Sequence, residues 1–137
     1  MKIGIVGATG AVGLMMIKCL EEFEVPVSEL KLFCSARSAG KKITFNNQTY
    51  ISEELTEDSM KEQFDYLLFS AGSKVSKKFA PIAAEAGNTV IDNSSAFRRN
   101  ENIPLIVPEI NGDSLKDYKG IISNPNCSTI QLVLALK

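Results

Sequence analysis

At the amino terminus, a short apolar run is followed directly by three regularly spaced glycines. This segment constrains the fold more than any other part of the sequence. Residues Ile3 to Val6 have the length and β-branching of a strand that is buried on both faces. Gly7, Gly10 and Gly13 follow, and such glycines allow a tight turn, close approach of a pyrophosphate and close packing of the next helix. The stretch therefore predicts a phosphate-binding strand–turn–helix unit. A tight turn without a ligand is the alternative, because the spacing is GxxGxxG rather than GxGxxG.

The segment after Gly10 has the apolar periodicity of a helix. Its apolar residues at helical spacing are Val12, Met15, Met16, Cys19, Leu20 and Phe23. We expect this face to pack on the sheet and the amino end of the helix to remain free for an anion.

Five further apolar runs indicate strands, and the segments between them indicate crossovers. The predicted strands are Leu30–Cys34, Tyr66–Ser70, Thr89–Asn93, Leu105–Pro108 and Gly120–Ser123. The other predictions are a hairpin at Asn46–Asn47, an irregular or helical crossover over Thr56–Gln63, a helix from Lys74 to Ala86, a turn at Glu109–Gly112 and helical turns over Asp113–Tyr118. This alternation predicts an α/β fold with a doubly wound, mostly parallel Rossmann-like sheet, whose ligands bind at the carboxyl ends of the strands.

Composition narrows the class of protein. The 137 residues carry 15 Lys and Arg against 16 Asp and Glu, so the net charge of −1 gives no reason to expect a nucleic-acid or anionic-membrane partner. No apolar run approaches the ~18 residues of a membrane span, and the start is a strand without a signal-peptide pattern, so we expect a cytoplasmic protein. Three cysteines indicate reduced thiols rather than a disulfide framework. We expect no metal site, and the absence of histidine means that any imidazole must come from another segment.

The loop after the second predicted strand favours NADP as the cofactor. It carries Ser35, Arg37 and Ser38, with Lys41 nearby, where a fold that prefers NAD usually has an Asp or Glu. A guanidinium is well shaped for the 2′-phosphate of NADP, and the loop lies roughly 20 residues after the glycine turn, where the specificity element belongs. A solvated basic loop is the alternative. In the segment Ala71–Ser73, the small Gly72 and Ser73 would let the cofactor lie against the backbone.

Two later strand ends supply candidate chemistry. Arg98 follows the strand that ends at Asn93, so it is a candidate anion binder, although an exposed double arginine is often only a solvated feature. Cys127 lies at a predicted helix amino terminus, with Asn126 able to cap that helix, and a helix end favours the thiolate. Cys127 is therefore the candidate nucleophile, whereas Cys19 and Cys34 are interpreted as packing residues. The apolar run from Ile130 predicts a buried helix.

Five motifs occur together in order, and with them the chain resembles the aspartate-semialdehyde dehydrogenase family. They are Gly7–Gly13, Ser35–Gly40, Asp92–Arg98, Val107–Asn111 and Asn124–Thr129. The resemblance implies NADPH-dependent reductive dephosphorylation of aspartyl 4-phosphate to aspartate 4-semialdehyde, on the route to lysine (through diaminopimelate), threonine and methionine. It implies that Cys127 forms the acyl-enzyme, that Arg98 holds the substrate phosphate and that Asn126 positions substrate and thioester. It also assigns NADP binding to Thr9, Gly10, Ala11 and Val12 together with Arg37 and Ser38.

The same resemblance sets expectations about extent. It implies an NAD(P)-binding domain over residues 1–126 and, over 127–137, the start of a helix that leads into a catalytic and dimerisation domain absent from this chain. The acid/base histidine of the family belongs to that second domain, so we expect this chain to bind cofactor without turnover. We expect the full-length protein to be a homodimer or homotetramer. The alternatives are an N-acetyl-γ-glutamyl-phosphate reductase-like enzyme, whose nucleophile follows Pro-Gly rather than Pro-Asn, and a non-catalytic nucleotide-binding module.

Overall fold

The computed structural model describes residues 1–116 and 118–137 of the chain. The strands are β1 Lys2–Val6, β2 Glu29–Cys34, β3 Lys42–Phe45, β4 Gln48–Ile51, β5 Glu53–Glu54, β6 Tyr66–Phe69, β7 Thr89–Asp92 and β8 Ile121–Ser123. The helices are α1 Ala11–Glu22, α2 Ser73–Glu85, α3 Pro108–Asn111 and α4 Cys127–Leu136. Short 3-10 helices cover Ala36–Ser38, Ser59–Lys61 and Gly112–Leu115.

Six of the strands form one sheet in the order β5-β2-β1-β6-β7-β8, and every neighbouring pair in it is parallel. The first strand, β1, lies inside the sheet, where Ile5 stands opposite Leu32 on one side and Leu68 on the other. The remaining two strands, β3 and β4, form a hairpin whose turn residues Asn46 and Asn47 both have positive φ. The prediction of a doubly wound, mostly parallel Rossmann-like α/β fold is confirmed.

Each face of the sheet is covered by its own apolar layer. On one face, α1 and the hairpin pack over Ile3, Ile5 and Leu32. On the other face, α2 packs over the side chains of Phe33, Leu67, Phe69 and Val90. Parallel strands with helices on both faces are buried on both faces, so their sequences tend toward continuous apolar runs, as in residues 3–6 of β1 and 32–34 of β2.

A network of charged side chains lies at the amino-terminal edge of the sheet. Both carboxylate oxygens of Glu62 accept hydrogen bonds from Lys31 Nζ, at 3.0 and 2.8 Å, and Lys2 Nζ lies 3.6 Å from the same carboxylate. The hydrogen bond from Lys31 holds the pKa of Glu62 below its usual value of 4.5, and the same bond raises the pKa of Lys31 above 10.5. This network joins β1 and β2 to the segment before β6, at the edge opposite the carboxyl ends of the strands.

The predicted packing face of α1 is correct for Met16 and Leu20, which pack against the apolar layer on the sheet, and wrong for the rest. Its buried residues are Gly13 and Ile17, whereas Val12 is 47% exposed, Met15 is 55% exposed and Phe23 is 76% exposed. The first turn of the helix lies so close to Gly7 and Ala8 that only a glycine fits at position 13. The longer apolar side chains instead form an open apolar depression of about 420 Å³, lined by Ala11, Val12, Met15, Met16, Cys19, Leu20, Phe23, Val25 and Leu68.

The predicted burial of the last helix is also wrong. No residue of α4 is buried, and Leu132 and Leu136 are 59% and 74% exposed. The run of apolar residues predicts a core helix, but among residues 1–116 and 118–137 the contacts made with α4, including those of α3, leave all of its side chains at least partly exposed.

Smaller differences concern short elements. Leu105–Pro108 contributes one bridge, between Leu105 and Ser123, rather than a strand, and the predicted turn at Glu109–Gly112 is mostly the helix α3. The two-residue strand β5 was not predicted. The predicted helical turns over Asp113–Tyr118 correspond in part to the 3-10 helix Gly112–Leu115, and Asp117 lies outside the described residues.

Candidate cofactor and nucleophile site

The glycine turn between β1 and α1 is shaped by close backbone contacts. Gly7 has a φ of +88°, and a Cβ there would lie 2.9 Å from the backbone nitrogen of Ala71. A Cβ on Gly13 would lie 2.3 Å from the carbonyl oxygen of Gly7, so a side chain at Gly13 would push the helix away from the turn. Gly10 is the residue before the helix and makes no side-chain cap, so no side chain satisfies the first N–H groups of α1. The turn therefore presents free backbone donors at a helix amino terminus, which is the arrangement that phosphate groups bind.

A groove of about 530 Å³ begins at this turn and runs along the carboxyl edge of the sheet. It is lined by Val6, Gly7, Thr9, Gly10, Cys34, Ser35, Ala36, Arg37, Ser38, Glu54, Leu55, Ser70, Ala71, Val75 and Phe79. Six predicted cofactor residues lie together in this groove: Gly7, Thr9, Gly10, Ser35, Arg37 and Ser38. The structure thus brings the glycine turn and the basic loop, which are about 25 residues apart in sequence, to one cavity.

The other predicted cofactor residues lie beside the groove rather than in its lining. Ala11 and Val12 contribute to the first turn of α1, and their side chains line the apolar depression instead. Gly72 has a φ of +88° and precedes α2, while Ser73 begins that helix and shares a 2.9 Å hydroxyl–hydroxyl hydrogen bond with Ser95. The start of α2 is thereby tied to the loop that follows β7.

A buried carboxylate organises that loop. Asp92 is fully buried at the end of β7, where its carboxylate accepts hydrogen bonds from the hydroxyl of Ser76 at 2.6 Å and from the hydroxyl of Ser94 at 2.7 Å. The backbone N–H of Ser94 also donates to Asp92, and Ala96 N–H donates to the hydroxyl of Ser94. Because a buried carboxylate needs such donors, this network fixes the turn from which Arg98 projects. Sequence reasoning missed this role of Asp92, since Ser76 is distant in sequence.

Arg98 is held by two strand-end carbonyls. Its Nε donates to the carbonyl oxygen of Asn124 at 2.9 Å, and its Nη2 donates to that of Asn93 at 3.1 Å. The side chains of Asn93 and Asn124 are joined by a 2.6 Å hydrogen bond. A guanidinium has five N–H donors, so donors remain for an anion after these two bonds.

The guanidinium also lines a basic depression of about 530 Å³. Its lining residues are Lys77, Ser95, Ala96, Arg98 and Arg99. Three of these residues, Lys77, Arg98 and Arg99, are cationic, and within residues 1–116 and 118–137 none of them belongs to an ion pair. The depression therefore has the charge and the donors to accept an anion.

Cys127 begins α4 and is exposed, whereas Cys34 is buried and Cys19 is partly buried. Asn126 caps the helix, because its side-chain oxygen accepts a 2.9 Å hydrogen bond from Ser128 N–H. The thiol of Cys127 lies 3.9 Å from the same oxygen. The predicted cap is confirmed, and the backbone from Asn124 to Cys127 connects the carbonyl that holds Arg98 to the thiol.

Several residues of the groove were not expected from sequence. Glu54 ends β5, which is too short to have a recognisable periodicity, and Leu55 follows it, while Val75 and Phe79 come from α2. The acidic pair Glu53–Glu54 was the only local sequence feature that could have indicated this part of the groove, and such a pair is typical of any exposed acidic segment.

Comparison with known protein families decides the relationship. The sequence-family model of the semialdehyde dehydrogenase NAD-binding domain matches residues 2–118, which is most of the chain. The chain belongs to this family.

Curated relatives of this semialdehyde dehydrogenase domain are longer proteins. The aspartate-semialdehyde dehydrogenase of Aquifex aeolicus is 51% identical over 138 residues, which cover 99% of this chain and 41% of that protein. The enzyme of Bacillus subtilis is 50% identical over 98% of this chain and 39% of its own length. The chain thus spans about two fifths of the length of the curated relatives that it matches.

Solved structures agree with this semialdehyde dehydrogenase assignment. Aspartate semialdehyde dehydrogenase II from Vibrio cholerae, complexed with ASA, is 50% identical and superposes with a TM-score of 0.94, covering 99% of this chain and 45% of that chain. The Candida albicans aspartate semialdehyde dehydrogenase, solved with NADP, is 28% identical with a TM-score of 0.82 over 99% of this chain and 45% of its own.

Within the described part of this semialdehyde dehydrogenase domain, no helix is both long and apolar enough to span a membrane. The same residues contain no group of three or more His, Cys, Asp or Glu side chains placed to hold a metal ion.

Proposed function

We propose that this chain is the cofactor-binding and nucleophile-bearing part of an NADP-dependent aspartate-semialdehyde dehydrogenase. The full-length enzyme would convert L-aspartyl 4-phosphate to L-aspartate 4-semialdehyde with release of phosphate, as a cytoplasmic homodimer or homotetramer in lysine, threonine and methionine biosynthesis. Residues 1–126 would form the NAD(P)-binding domain, and 127–137 would begin the helix that leads into the rest of the enzyme. Supporting this are the family of the chain and the names of relatives about half identical to it.

One observation carries the proposal: the exposed thiol of Cys127 begins a capped helix, three residues after the carbonyl that holds Arg98. A thiolate is favoured at a helix amino terminus, and a fixed guanidinium is suited to a phosphate. An acyl phosphate needs both, because the nucleophile attacks its carbonyl carbon while phosphate leaves. Arg98 would hold the phosphate, and Asn126 would position the substrate and the thioester.

The groove fits NADP as the cofactor. Gly7 and Gly13 keep the turn open, the uncapped start of α1 offers N–H groups to a pyrophosphate, and Arg37 with Ser38 offers donors to a 2′-phosphate. Thr9, Gly10, Ala11 and Val12 would contribute to the pyrophosphate site, Ser35 to the adenosine end, and Gly72 and Ser73 would flank the cofactor. When bound, NADPH supplies the hydride that reduces the thioester carbon to the aldehyde.

The residues of this chain account for the first half of the reaction. The Cys127 sulfur forms a bond to the acyl carbon, the carbon–oxygen bond to phosphate breaks, and the leaving phosphate departs toward Arg98. The product of this step is a thioester on Cys127 plus inorganic phosphate. The chain contains no histidine, so we place the group that transfers the proton during thioester reduction outside these 137 residues.

Mass spectrometry of the full-length protein tests this function. In the absence of phosphate, aspartate semialdehyde and NADP should give an aspartyl adduct on the peptide that contains Cys127, with formation of NADPH. A Cys127→Ser variant should give neither adduct nor NADPH, whereas a Cys19→Ser variant should behave as the wild type. An adduct on Cys19 or Cys34, or NADPH formation by Cys127→Ser, would show that the nucleophile is assigned wrongly.

A further inference from the structure

The cofactor groove has a second wall beside the Arg37 loop, formed by Glu54 and Leu55. Strand β5 pairs with the end of β2, where Cys34 stands opposite Glu54, so Glu54 reaches the same carboxyl edge as Ser35. Both Glu54 and Arg37 line the groove. The loop after β2 contains no carboxylate of its own, but the fold delivers one from β5.

Hydrogen bonds fix this wall against the loop. Leu55 N–H donates to the carbonyl of Cys34 at 2.8 Å, and the thiol of Cys34 lies 3.4 Å from the carbonyl of Glu53. The hydroxyl of the buried Ser52 donates to the carbonyl of Ser38 at 3.0 Å and accepts from Lys41 N–H at 3.1 Å. The acidic and basic sides of the groove are therefore held in a fixed relation.

Opposite charges here favour different dinucleotides. The 2′-phosphate of NADP carries roughly two negative charges, which Arg37 attracts and Glu54 repels. The 2′-hydroxyl of NAD is a donor that a carboxylate accepts, as acidic residues do in other dinucleotide folds. Among residues 1–116 and 118–137, neither side chain belongs to an ion pair, so neither charge is neutralised by a protein partner.

We propose that Glu54 is a specificity-determining residue that acts against Arg37, favouring NAD through the ribose hydroxyls and weakening NADP through repulsion. This inference rests on the proposed function in taking a nicotinamide dinucleotide as the ligand of the groove. The preference for NADP over NAD then depends on the opposing effects of Arg37 and Glu54. Removing the carboxylate of Glu54 increases this preference.

Calorimetric titration of this chain with NADP and with NAD tests the balance. Glu54→Gln should tighten NADP about three- to fivefold, and it should weaken NAD about two- to threefold. The gain for NADP should shrink at about 0.5 M salt, because screening reduces the repulsion that the substitution removes. Glu54→Ala should shift the ratio of the two affinities in the same direction.

Glu53→Gln is the matched control, since it removes the same charge from the adjacent residue, which does not line the groove. Glu53→Gln should leave the ratio of the NADP and NAD affinities unchanged. An unchanged ratio in Glu54→Gln, or an equal shift in both variants, overturns the role of Glu54 while leaving the NADP and Cys127 assignments standing. Failure of the wild-type chain to bind either dinucleotide overturns both this role and the cofactor assignment.

Discussion

The three cysteines differ in ways that set their reactivity. Only Cys127 combines exposure with a helix amino terminus, whereas Cys34 is buried and its thiol lies against the carbonyl of Glu53. An exposed thiol at a helix amino terminus is more accessible to an alkylating reagent than a buried one.

We expect iodoacetamide at mildly acidic pH to modify Cys127 before Cys19 and Cys34. Peptide mass mapping over time measures the order, and unfolding the protein should abolish the difference. Preferential labelling of Cys34 in the folded protein would contradict the assignment of the nucleophile and support an incidental cysteine.

Arg37 is the residue that we propose to bind the 2′-phosphate of NADP in the cofactor groove. Replacing it by Ala should weaken NADP by about tenfold or more while changing NAD little, because a charge-assisted pair with phosphate is lost. Calorimetric titration with both cofactors measures the two losses. Lys42→Ala is the control, since Lys42 is exposed and outside the groove. Equal losses for NADP and NAD in Arg37→Ala would remove the 2′-phosphate assignment.

Among the elements, the strands of the sheet were the most predictable from sequence. Most residues of β1, β2, β6 and β7 are buried or partly buried, so their apolar runs and the turns that follow them carry a clear signal. Strand β5 has only two residues and no periodicity, so its delivery of Glu54 to the groove depends on tertiary pairing that sequence patterns do not contain.

Helix orientation was less predictable for a different reason. Apolar periodicity in α1 predicts a face but not which part of it meets the sheet, and the close approach allowed by Gly13 selects Ile17 rather than Met15. In α4 the apolar run predicts burial, yet within the described residues only the short helix α3 contacts it appreciably, and no residue of α4 is buried.

The Glu62–Lys31 pair predicts a pH dependence of stability at the amino edge of the sheet. The pKa of Glu62 is lowered in the folded state, so its contribution is present above pH 4.5 and is lost as the pH falls through the lowered value. The contribution of Lys31, whose pKa is raised, is present below pH 10.5 and is lost as the pH rises past the raised value. Because Glu62 is 37% exposed, solvent screening keeps the effect small, about 1 kcal/mol or less.

Urea unfolding between about pH 3 and pH 7 measures this contribution. Glu62→Gln should lose less stability on acidification than the wild type. Glu57→Gln is the control, since the ion pair of Glu57 with Lys78 joins more exposed side chains. Identical acid profiles for Glu62→Gln and the wild type would contradict the prediction.

At the scale of the whole molecule, the chain should bind NADP but have negligible turnover. The groove is lined by residues between Val6 and Phe79, so this chain contains every residue of that lining. Without an imidazole, the general acid/base contribution of about 10²–10⁴ in rate is missing, and incomplete substrate orientation lowers the rate further.

An assay that follows NADPH formation from aspartate semialdehyde, NADP and phosphate should therefore stay at background with the purified chain. The full-length protein under the same conditions is the positive control. Clear turnover by the 137-residue chain would mean that one of its own residues transfers the proton.

The exposed apolar surfaces of α1 and α4 predict self-association. Contiguous exposed apolar surface is unusual for a monomer, so sedimentation should show a mass that rises above 14.9 kDa with concentration. Leu136→Glu should reduce the rise, whereas Ile51→Glu, at an exposed position on the hairpin, should not. A constant monomer mass across concentrations would contradict the prediction.

The parallel direction of all six strands separates two kinds of residue within one sheet. The charged network of Lys2, Lys31 and Glu62 lies where the strands begin, and the groove, Arg98 and the thiol lie where they end. Substitutions that alter ligand recognition commonly lower stability, and here the compensating substitutions can be made at the far edge without contact with the ligand. Directed evolution could therefore change the cofactor preference through residues at the carboxyl edge of the sheet and recover the lost folding stability through residues at the amino-terminal edge.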